Sequence, residues 1–334
     1  MPQLRKDPVT SRWVIVQSER PLGPDDFKIE QQSRSSRACP FCPGNESMTP
    51  PEIVSYGRKG AQKPGAGPWQ VRVVPNKFPA LRIEESLDKM ALGVYDRIGG
   101  FGAHEVIIES PEHDREIADQ PLEQVVTLLR VYRDRCLDLR KDPRFKYVLI
   151  FKNFGAQAGA SQEHPHSQLI ALPVVPSRVM GEVKGSQKHF EHTDRCIFCD
   201  MMDQERAEHR LAVYENERFI AIEPFASRFP YETWILPREH QSTFELTPEE
   251  HLTDLADALK TALYKIKTLL HNPPYNFMIH SLPIHGREED SFHWQIEIIP
   301  QLTEVSGFEL GTGFYINPTP PERAAEALRR VPRP

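Results

Sequence analysis

Two histidines and a glutamine near the middle of the chain have the types and spacing that phosphate chemistry needs. His164, His166 and Gln168 alternate with other residues inside the stretch NFGAQAGASQEHPHSQ (153–168). In an extended segment side chains alternate between two faces, so these three should point the same way. The loop before them is rich in glycine and serine, and such loops can bring backbone N–H groups to phosphates. Together these groups suit binding a phosphate and attacking its phosphorus.

The elements that must position these residues occur twice along the chain. VRVVPNKFP and HEVIIES in the first half have counterparts in FIAIEPFASRFP and YETWILPREH. The apolar strand YVLIF, which precedes the histidines, corresponds to NFMIH, and HPH corresponds to His293-Trp294-Gln295. Gln295 therefore stands where the first copy has His166. We expect the first copy to do chemistry and the second to be structural and to help form the substrate pocket.

This repeat predicts the fold class and the domain organisation. We expect an α+β protein of two tandem units, each with antiparallel strands and flanking helices. The first unit would span residues 1–180 and carry HPHSQ, and the second would span 181–334. The polar stretch from about residue 178, GEVKGSQKHFEHTD, is interpreted as the linker between them.

Each half also contains a C-x-x-C pair and two histidines whose spacing is nearly the same in the two copies. Two thiolates and two imidazoles are the ligands of a closed, tetrahedral, structural zinc site. The alternatives are one all-thiolate site built from both cysteine pairs, or redox dithiols, although neither pair has the βαβ context of a redox motif. The two predicted zinc sites are Cys39, Cys42, His113 and His164, and Cys196, Cys199, His240 and His293.

A zinc ion on His164 would influence the neighbouring nucleophile without joining the reaction. The metal would fix the orientation of the strand that carries His166, as metal-bound scaffolds do for adjacent groups. We therefore expect the first metal to rigidify the site rather than to activate water.

The motif and the full length of the chain resemble a known family. HPHSQ resembles the H-x-H-x-Q signature of the nucleotidyl-transferring branch of the histidine-triad superfamily. From RKDPVTSRWVIV (5–16) to GFELGTGFYINP (307–318), the chain is similar to the galactose-1-phosphate uridylyltransferase family, which includes the ADP-glucose phosphorylase type. The resemblance implies histidine-triad-like (HIT-like) units, supports zinc at both sites, and implies a homodimer.

The resemblance suggests a reaction for the histidine. A neutral imidazole is a good nucleophile near pH 7, because its unperturbed pKa is about 6.5. We expect His166 to attack the α-phosphorus of a nucleotide sugar and form a covalent nucleotidyl-histidine, with ping-pong kinetics. Gln168 would donate a hydrogen bond to a non-bridging oxygen without delivering a proton. The alternative for His166 is a hydrogen-bonded strand histidine with no catalytic role.

Further substrate contacts are implied by the resemblance alone. Gly23 departs from the family pattern, because a second phosphate-binding arginine is expected there, and Arg12 or Lys77 would have to compensate. For Glu309 the alternative is an exposed residue of a β-hairpin. The implied contacts are Arg20 with phosphate, Asn76 with the nucleoside, Asn153 and Ser161 with the phosphates, and Phe308 and Glu309 with the hexose.

The predicted activity is exchange of UMP between UDP-glucose and galactose 1-phosphate, as a galactose-metabolism transferase performs it, because HPHSQ favours it. An ADP-glucose phosphorylase is the alternative within the family. The stretch NPPYNFMIH and the complete second metal set favour an ADP-glucose phosphorylase, with phosphate as the acceptor. Glutamine at the third position argues against a dinucleotide hydrolase. A catalytically silent, metal-stapled binding protein is the candidate of another class.

Composition excludes several other classes. The 334 residues are 39% hydrophobic and carry a formal net charge of −6, so no basic field indicates nucleic-acid binding. No apolar run approaches the roughly 20 residues that a membrane-spanning helix needs. The N-terminus lacks the apolar core of a signal peptide. These features predict a cytoplasmic enzyme with no membrane or nucleic-acid partner.

Overall fold

The computed structural model describes residues 1–29, 39–57 and 68–334. Its strands are β1 (Gln3–Lys6), β2 (Trp13–Val16), β3 (Val54–Tyr56), β4 (Val71–Pro75), β5 (Lys89–Leu92), β6 (Tyr95–Ile98), β7 (Ala103–Ile108), β8 (Tyr147–Phe154), β9 (His166–Leu172), β10 (Ala212–Glu215), β11 (Phe219–Ile222), β12 (Thr233–Pro237), β13 (Tyr275–His280), β14 (Gln295–Pro300) and β15 (Tyr315–Asn317). Its α-helices are α1 (Leu122–Leu139), α2 (Ser177–Thr193), α3 (Ile197–Glu208), α4 (Leu252–Leu269), α5 (Gly307–Thr312) and α6 (Pro321–Arg330).

Ten strands form one antiparallel sheet that contains both copies of the repeat. Their order is β10-β11-β12-β14-β13-β8-β9-β7-β4-β3. Each strand of the first half has its counterpart at the mirrored place, so that β8 corresponds to β13, β9 to β14, β7 to β12, and β4 to β11. The two five-strand runs meet where β8 and β13 pair along their length. The predicted α+β class, with a duplicated antiparallel sheet and flanking helices, is confirmed.

The main core lies between this sheet and helices α1 and α4, which contact each other. Buried positions on α1 recur every three or four residues, as in Val125, Leu128, Leu129 and Tyr132, which is the spacing of one helical face. Leucines of α4 supply the facing surface of the same apolar cluster. None of the described helices combines the length and apolar character that crossing a membrane requires.

The segment interpreted as a linker is helical instead. Helix α2 covers Ser177–Thr193, and its Val179 and Val183 are buried in a small apolar cluster with Phe292. Gly185 is there for close packing, because a Cβ at this position would lie 1.7 Å from the carbonyl oxygen of Val9. The segment is therefore a packed helix, and α2 spans the place where the boundary between the units is predicted.

A smaller sheet joins distant parts of the chain. Strand β2 pairs with β1 in antiparallel fashion and with β15 in parallel fashion. Just before β15, the segment GFELGT forms the short helix α5, where the sequence allowed a β-hairpin. Glu309 accepts hydrogen bonds from the backbone N–H and the hydroxyl of Ser306 at the start of this helix.

Candidate active site and metal clusters

The first predicted ligand set is brought together in three dimensions. Cys39, Cys42, His113 and His164 present ligand atoms that all lie within 4.8 Å of one another. The Nε2–H of His164 donates to the carbonyl oxygen of Ser110 at 2.7 Å, which leaves Nδ1 free for a metal. Burial, followed by Cys39, raises the pKa of the Cys42 thiol to about 11. The cluster could hold a metal ion, which would also favour the thiolate form.

The second set repeats this geometry in the other half of the molecule. Cys196, Cys199, His240 and His293 also lie within 4.8 Å of one another. His293 donates from Nε2 to the carbonyl oxygen of Pro237 at 2.9 Å, and His240 donates to that of Glu289 at 2.7 Å. The two imidazoles meet edge to face with centroids 5.3 Å apart, against 5.2 Å in the first set. The alternative of one site shared by all four paired cysteines is therefore wrong.

His166 is the first residue of strand β9, and the backbone two residues before it fixes its tautomer. The ring Nδ1 lies 2.8 Å from the carbonyl oxygen of His164, so Nδ1–H donates and Nε2 keeps its lone pair. The residue is only 5% exposed, and burial lowers its pKa to about 4. His164 precedes the strand, yet both imidazoles lie against Phe41, with ring centroids 6.1 and 5.4 Å away. The arrangement is that of a neutral imidazole with one nitrogen available.

A cavity of about 160 Å³ lies beside this histidine. His166 and Gln168 form one wall, together with apolar side chains that include Phe41 and Val106. Asn76 and Ser161, two of the implied substrate contacts, line the same cavity, as does Lys77. Four of the predicted site residues are thus brought together around one opening.

The loop before Ser161 differs from the expectation that its backbone would hold phosphates. Gly155 and Gly159 both have φ of +87°, which glycine adopts without strain. The backbone N–H groups of Ala158 and Ala160 donate to the carbonyl oxygen of Gly155, and that of Gly159 donates within the same turn. These three donors are satisfied inside the loop. Polar contacts to a ligand must come from other groups, such as the Ser161 side chain.

Four implied contacts lie outside this cavity. Asn153 instead accepts a hydrogen bond from Asn276 on β13 at 2.7 Å. Arg20 is exposed in the loop after β2. Phe308 and Glu309 lie on α5, and Phe308 is 43% exposed. Their proposed roles in binding substrate remain predictions.

A buried charge cluster beneath His166 was not identified from the sequence. Lys152, 1% exposed on β8, donates to Glu109 at 2.8 Å and to the carbonyl oxygen of His166 at 3.3 Å. Glu116 lies 3.1 Å from the same ammonium group. Burial raises the pKa of Glu109, while Lys152 opposes this shift. The sequence signal for this charge cluster was the lysine inside the apolar strand YVLIFKNF, because lysine is almost never fully buried unless it is paired.

His104 is a second residue of the site that was not identified from the sequence. It lies on β7 and reaches the side chain of Gln168, with His104 Nε2 2.8 Å from Gln168 Oε1. The alternation along HEVIIES places His104 on the same face as Val106, which lines the cavity. That alternation predicts the face on which His104 lies, but its contact with Gln168 depends on the register of β7 and β9.

Comparison with known proteins decides the family. Residues 1–176 match the family described as galactose-1-phosphate uridyl transferase, N-terminal domain. The chain belongs to this family. Residues 102–331 of this galactose-1-phosphate uridyl transferase family member also match a family described as a domain of unknown function.

Relatives within the family extend along the whole chain. ADP-glucose phosphorylase of Arabidopsis thaliana is 39% identical over 338 residues, covering 99% of this chain and 93% of that protein. Galactose-1-phosphate uridylyltransferase of Thermotoga maritima is 31% identical over 345 residues, covering 99% of each. A crystal structure of the Arabidopsis phosphorylase with bound ADP-glucose aligns with a TM-score of 0.84 at 37% identity, covering 99% of both chains. The predicted nucleotidyltransferase class is confirmed, and both predicted reactions fit these relatives.

Proposed function

We propose that this family member transfers a nucleotidyl group from a nucleotide sugar to a sugar 1-phosphate or to inorganic phosphate, through a covalent intermediate on His166. The observation that carries the proposal is the state of that imidazole. Its Nδ1–H is engaged by the carbonyl oxygen of His164, so Nε2 is the free nitrogen in a wall shared with Gln168. This is the arrangement that nucleophilic catalysis by histidine requires.

In the first step the Nε2 lone pair of His166 attacks the α-phosphorus and forms an N–P bond. The P–O bond to the leaving hexose 1-phosphate breaks, and its electron pair stays on the leaving phosphate oxygen. The carbonyl oxygen of His164 stabilises the positive charge that develops on the ring through the Nδ1–H. In the second step an oxygen of the acceptor phosphate attacks the same phosphorus, and the N–P electron pair returns to Nε2.

The other groups at the cavity hold the phosphorus rather than exchange protons with it. Gln168 would donate its amide hydrogens to a non-bridging oxygen, where negative charge increases in the transition state. Ser161 would donate a hydroxyl hydrogen to the phosphates, and Asn76 would contact the nucleoside. A sugar phosphate leaves without needing a proton, so an amide suffices at position 168.

We further propose that both cysteine–histidine clusters bind zinc. Their support is the donor set, two thiolates and two imidazoles, and the carbonyl groups that fix His164, His240 and His293 with Nδ1 toward the cysteines. When bound, zinc supplies structural crosslinks. Metal analysis of the purified protein should find two zinc ions per chain, and a chain without stoichiometric metal would refute this assignment.

For the nucleotide, phosphorolysis of ADP-glucose has the stronger support. The Arabidopsis phosphorylase is 39% identical to this chain and the Thermotoga uridylyltransferase 31%. The solved phosphorylase aligns with a TM-score of 0.84, against 0.77 for a solved uridylyltransferase. Uridylyl transfer to galactose 1-phosphate is the second candidate, and the HPHSQ sequence favours it.

The test is the intact mass of the zinc-loaded protein after incubation with ADP-glucose or UDP-glucose. We expect an adenylyl adduct that inorganic phosphate removes, and no adduct in a His166→Ala variant. A uridylyl adduct removed by galactose 1-phosphate would select the second candidate. No adduct with either sugar nucleotide would refute the covalent mechanism and favour the catalytically silent binding protein.

The predicted homodimer and cytoplasmic location are parts of the same proposal. Phe308 and Glu309 do not line the cavity around His166, so we propose that they act in the cavity of a second subunit. Mixing His166→Ala and Glu309→Ala subunits tests this. Random exchange should restore about a quarter of the wild-type activity, because half of the dimers are mixed and each has one intact site. No recovery after proven exchange would contradict the arrangement.

The five cysteines, all of them described and free of disulfides, suit the reducing compartment that a cytoplasmic location implies.

A further inference from the structure

His104 connects two walls of the cavity beside His166. It lies on β7 opposite Ile170, so its side chain meets Gln168 diagonally across the β7–β9 ladder. On the other side it holds the segment that comes after β4. The backbone N–H of Ala80 donates to His104 Nδ1 at 3.1 Å, and that of Asn76 donates to the His104 carbonyl oxygen at 2.8 Å.

These contacts determine which ring nitrogen of His104 carries the hydrogen. A backbone N–H can only donate, so Nδ1 must accept from Ala80, and the hydrogen of the neutral ring lies on Nε2. The amide nitrogen of Asn76 lies 3.1 Å from Nε2, but it is a donor, since the Asn76 oxygen accepts from the N–H of Phe78. The acceptor for the Nε2–H is therefore Oε1 of Gln168, at 2.8 Å.

That hydrogen bond has a consequence for the orientation of the glutamine. A carboxamide presents an acceptor on one side and two donors on the other. With Oε1 held by His104, the NH₂ group of Gln168 is on the opposite side. Rotating the carboxamide by half a turn would bring its oxygen toward a phosphate, which repels it, and would set its NH₂ group against the Nε2–H of His104.

We propose that His104 is a positioning residue that orients Gln168 with its NH₂ group toward the transferred phosphoryl group. The inference rests on the proposed function, because it assigns a partner to the glutamine of that reaction. His104 itself does not touch the reacting atoms. Its contribution is to remove the unproductive orientation of Gln168 before substrate binds, which is electrostatic preorganisation.

Two conservative substitutions separate the two contacts of His104. His104→Gln keeps a donor near the position of Nε2, and so keeps the bond to Gln168. His104→Asn keeps an acceptor near the position of Nδ1 for the Ala80 N–H, but it cannot reach Gln168. Both variants would be made in the wild-type and in the Gln168→Ala background, with full zinc content and melting temperature verified for each.

The measurement is the single-turnover rate of adduct formation at His166, together with the concentration of sugar nucleotide that gives half the maximal rate. We expect His104→Asn to slow the maximal rate by about tenfold to a hundredfold, less than the roughly 10²–10³ lost when a donor to a developing oxyanion is deleted. The half-saturating concentration should change by less than about threefold, because ground-state binding is kept. His104→Gln should stay close to the wild-type rate.

The decisive comparison is with the Gln168→Ala background. If His104 acts through Gln168, His104→Asn slows the wild type but has no further effect once the glutamine is gone. An equal loss in both backgrounds would overturn the proposal, and so would a wild-type rate in His104→Asn or a slow His104→Gln. If wild-type protein forms no adduct, the proposed function fails and the role of His104 fails with it. If wild-type protein is labelled but the losses are additive, only the role of His104 is refuted.

Discussion

The two halves of the central sheet share a cysteine–histidine cluster but differ in the strand residue next to it. In the first half β9 begins two residues after His164, at His166, which borders an open cavity. In the second half β14 begins two residues after His293, at Gln295, which is only 3% exposed. The same turn after a cluster histidine thus leads to the proposed nucleophile, beside a cavity, in one copy and to an amide in the other.

The corresponding face of the second half is filled with ion pairs. Glu297, two residues after Gln295 as Gln168 is after His166, pairs with Arg228 and, at 2.7 Å, with Arg178. His280 lies 3.2 Å from the same carboxylate. Arg178 belongs to α2, so the helix that replaces the predicted linker lies over this face.

The cysteine–histidine cluster and the proposed nucleophile therefore have separate roles. The cluster is present in both halves, so its proposed role is to orient the adjoining strand. The proposed catalysis needs two more features, which the first half supplies: a free imidazole nitrogen and a cavity beside it. The corresponding face of the second half carries a charge network around Glu297 instead, and such a network is costly to break by removing one partner.

The largest expected difference comes from the matched pair His166→Ala and Gln295→Ala. The first should abolish the adduct and lower turnover by about 10⁴-fold or more, as loss of a covalent nucleophile does. The second should leave turnover within about threefold, since Gln295 does not line the cavity beside His166. Intact mass and initial rates measure both. Labelling that persists in His166→Ala, or loss of turnover in Gln295→Ala, would contradict the proposed difference between the two halves.

Removing one cysteine from each cluster is the next test. Cys39→Ala and Cys196→Ala should each bind one metal ion fewer per chain, because each cluster loses one of its four ligands. Cys39→Ala should also slow adduct formation by about tenfold to a hundredfold, since the segment that carries His164 and His166 would be held less rigidly. Cys196→Ala should mainly lower the melting temperature. Metal analysis and single-turnover labelling give the two readouts, and equal kinetic losses would show that the two clusters have the same role.

One buried cation in each half allows their contributions to the free energy of unfolding to be compared. Lys152→Met and Arg228→Met each remove a cationic partner from buried carboxylates, and each should lower the free energy of unfolding by about 3–5 kcal/mol. Only Lys152→Met should also slow adduct formation, because Lys152 contacts the carbonyl oxygen of His166. Denaturant titration and labelling rates measure the two effects. Adding Glu109→Gln to Lys152→Met should recover part of the lost stability, and no recovery would contradict the charge-balance account.

The smallest expected effect is a pH dependence that arises in the second half. Burial opposes the charge on His280, but Glu182 and then Glu297 raise its pKa to about 9, above the ordinary 6.5. The stabilisation is therefore complete below about pH 6.5 and is lost as the pH rises through 9. The stability gap between wild type and His280→Gln should narrow from pH 7 to pH 10 in denaturant titrations. A constant gap would mean that His280 is neutral in the folded protein.

Features that depend on local pattern were predictable from the sequence. The two C-x-x-C pairs, their histidines and HPHSQ recur in register, and the structure brings both ligand sets together. Helix α2 was not predicted, because Gly181 and Gly185 favour a loop when only local composition is considered. The helical spacing of Val179, Glu182, Val183 and Ser186, all buried, was present beneath them.

Features that depend on strand register were not predictable. His104 meets Gln168 only because β7 and β9 pair with Val106 opposite Gln168, and a shift of one residue would turn His104 to the other face. The positions of Phe308 and Glu309 likewise depend on how β15 joins β2. A single sequence specifies neither pairing by pattern alone.

The pairing of β8 with β13 has a consequence for how the two copies can be separated. These strands lie at the centre of the sheet, and Asn276 on β13 donates across the seam to Asn153 and to the carbonyl oxygen of Ala158. In a fragment cut near residue 180, the edge of β8 that faces β13 would lack its partner strand, and such an edge can pair with strands of other chains. We therefore expect neither copy to fold stably without the other. Expressed as two pieces, each should aggregate alone and reassemble only with the other.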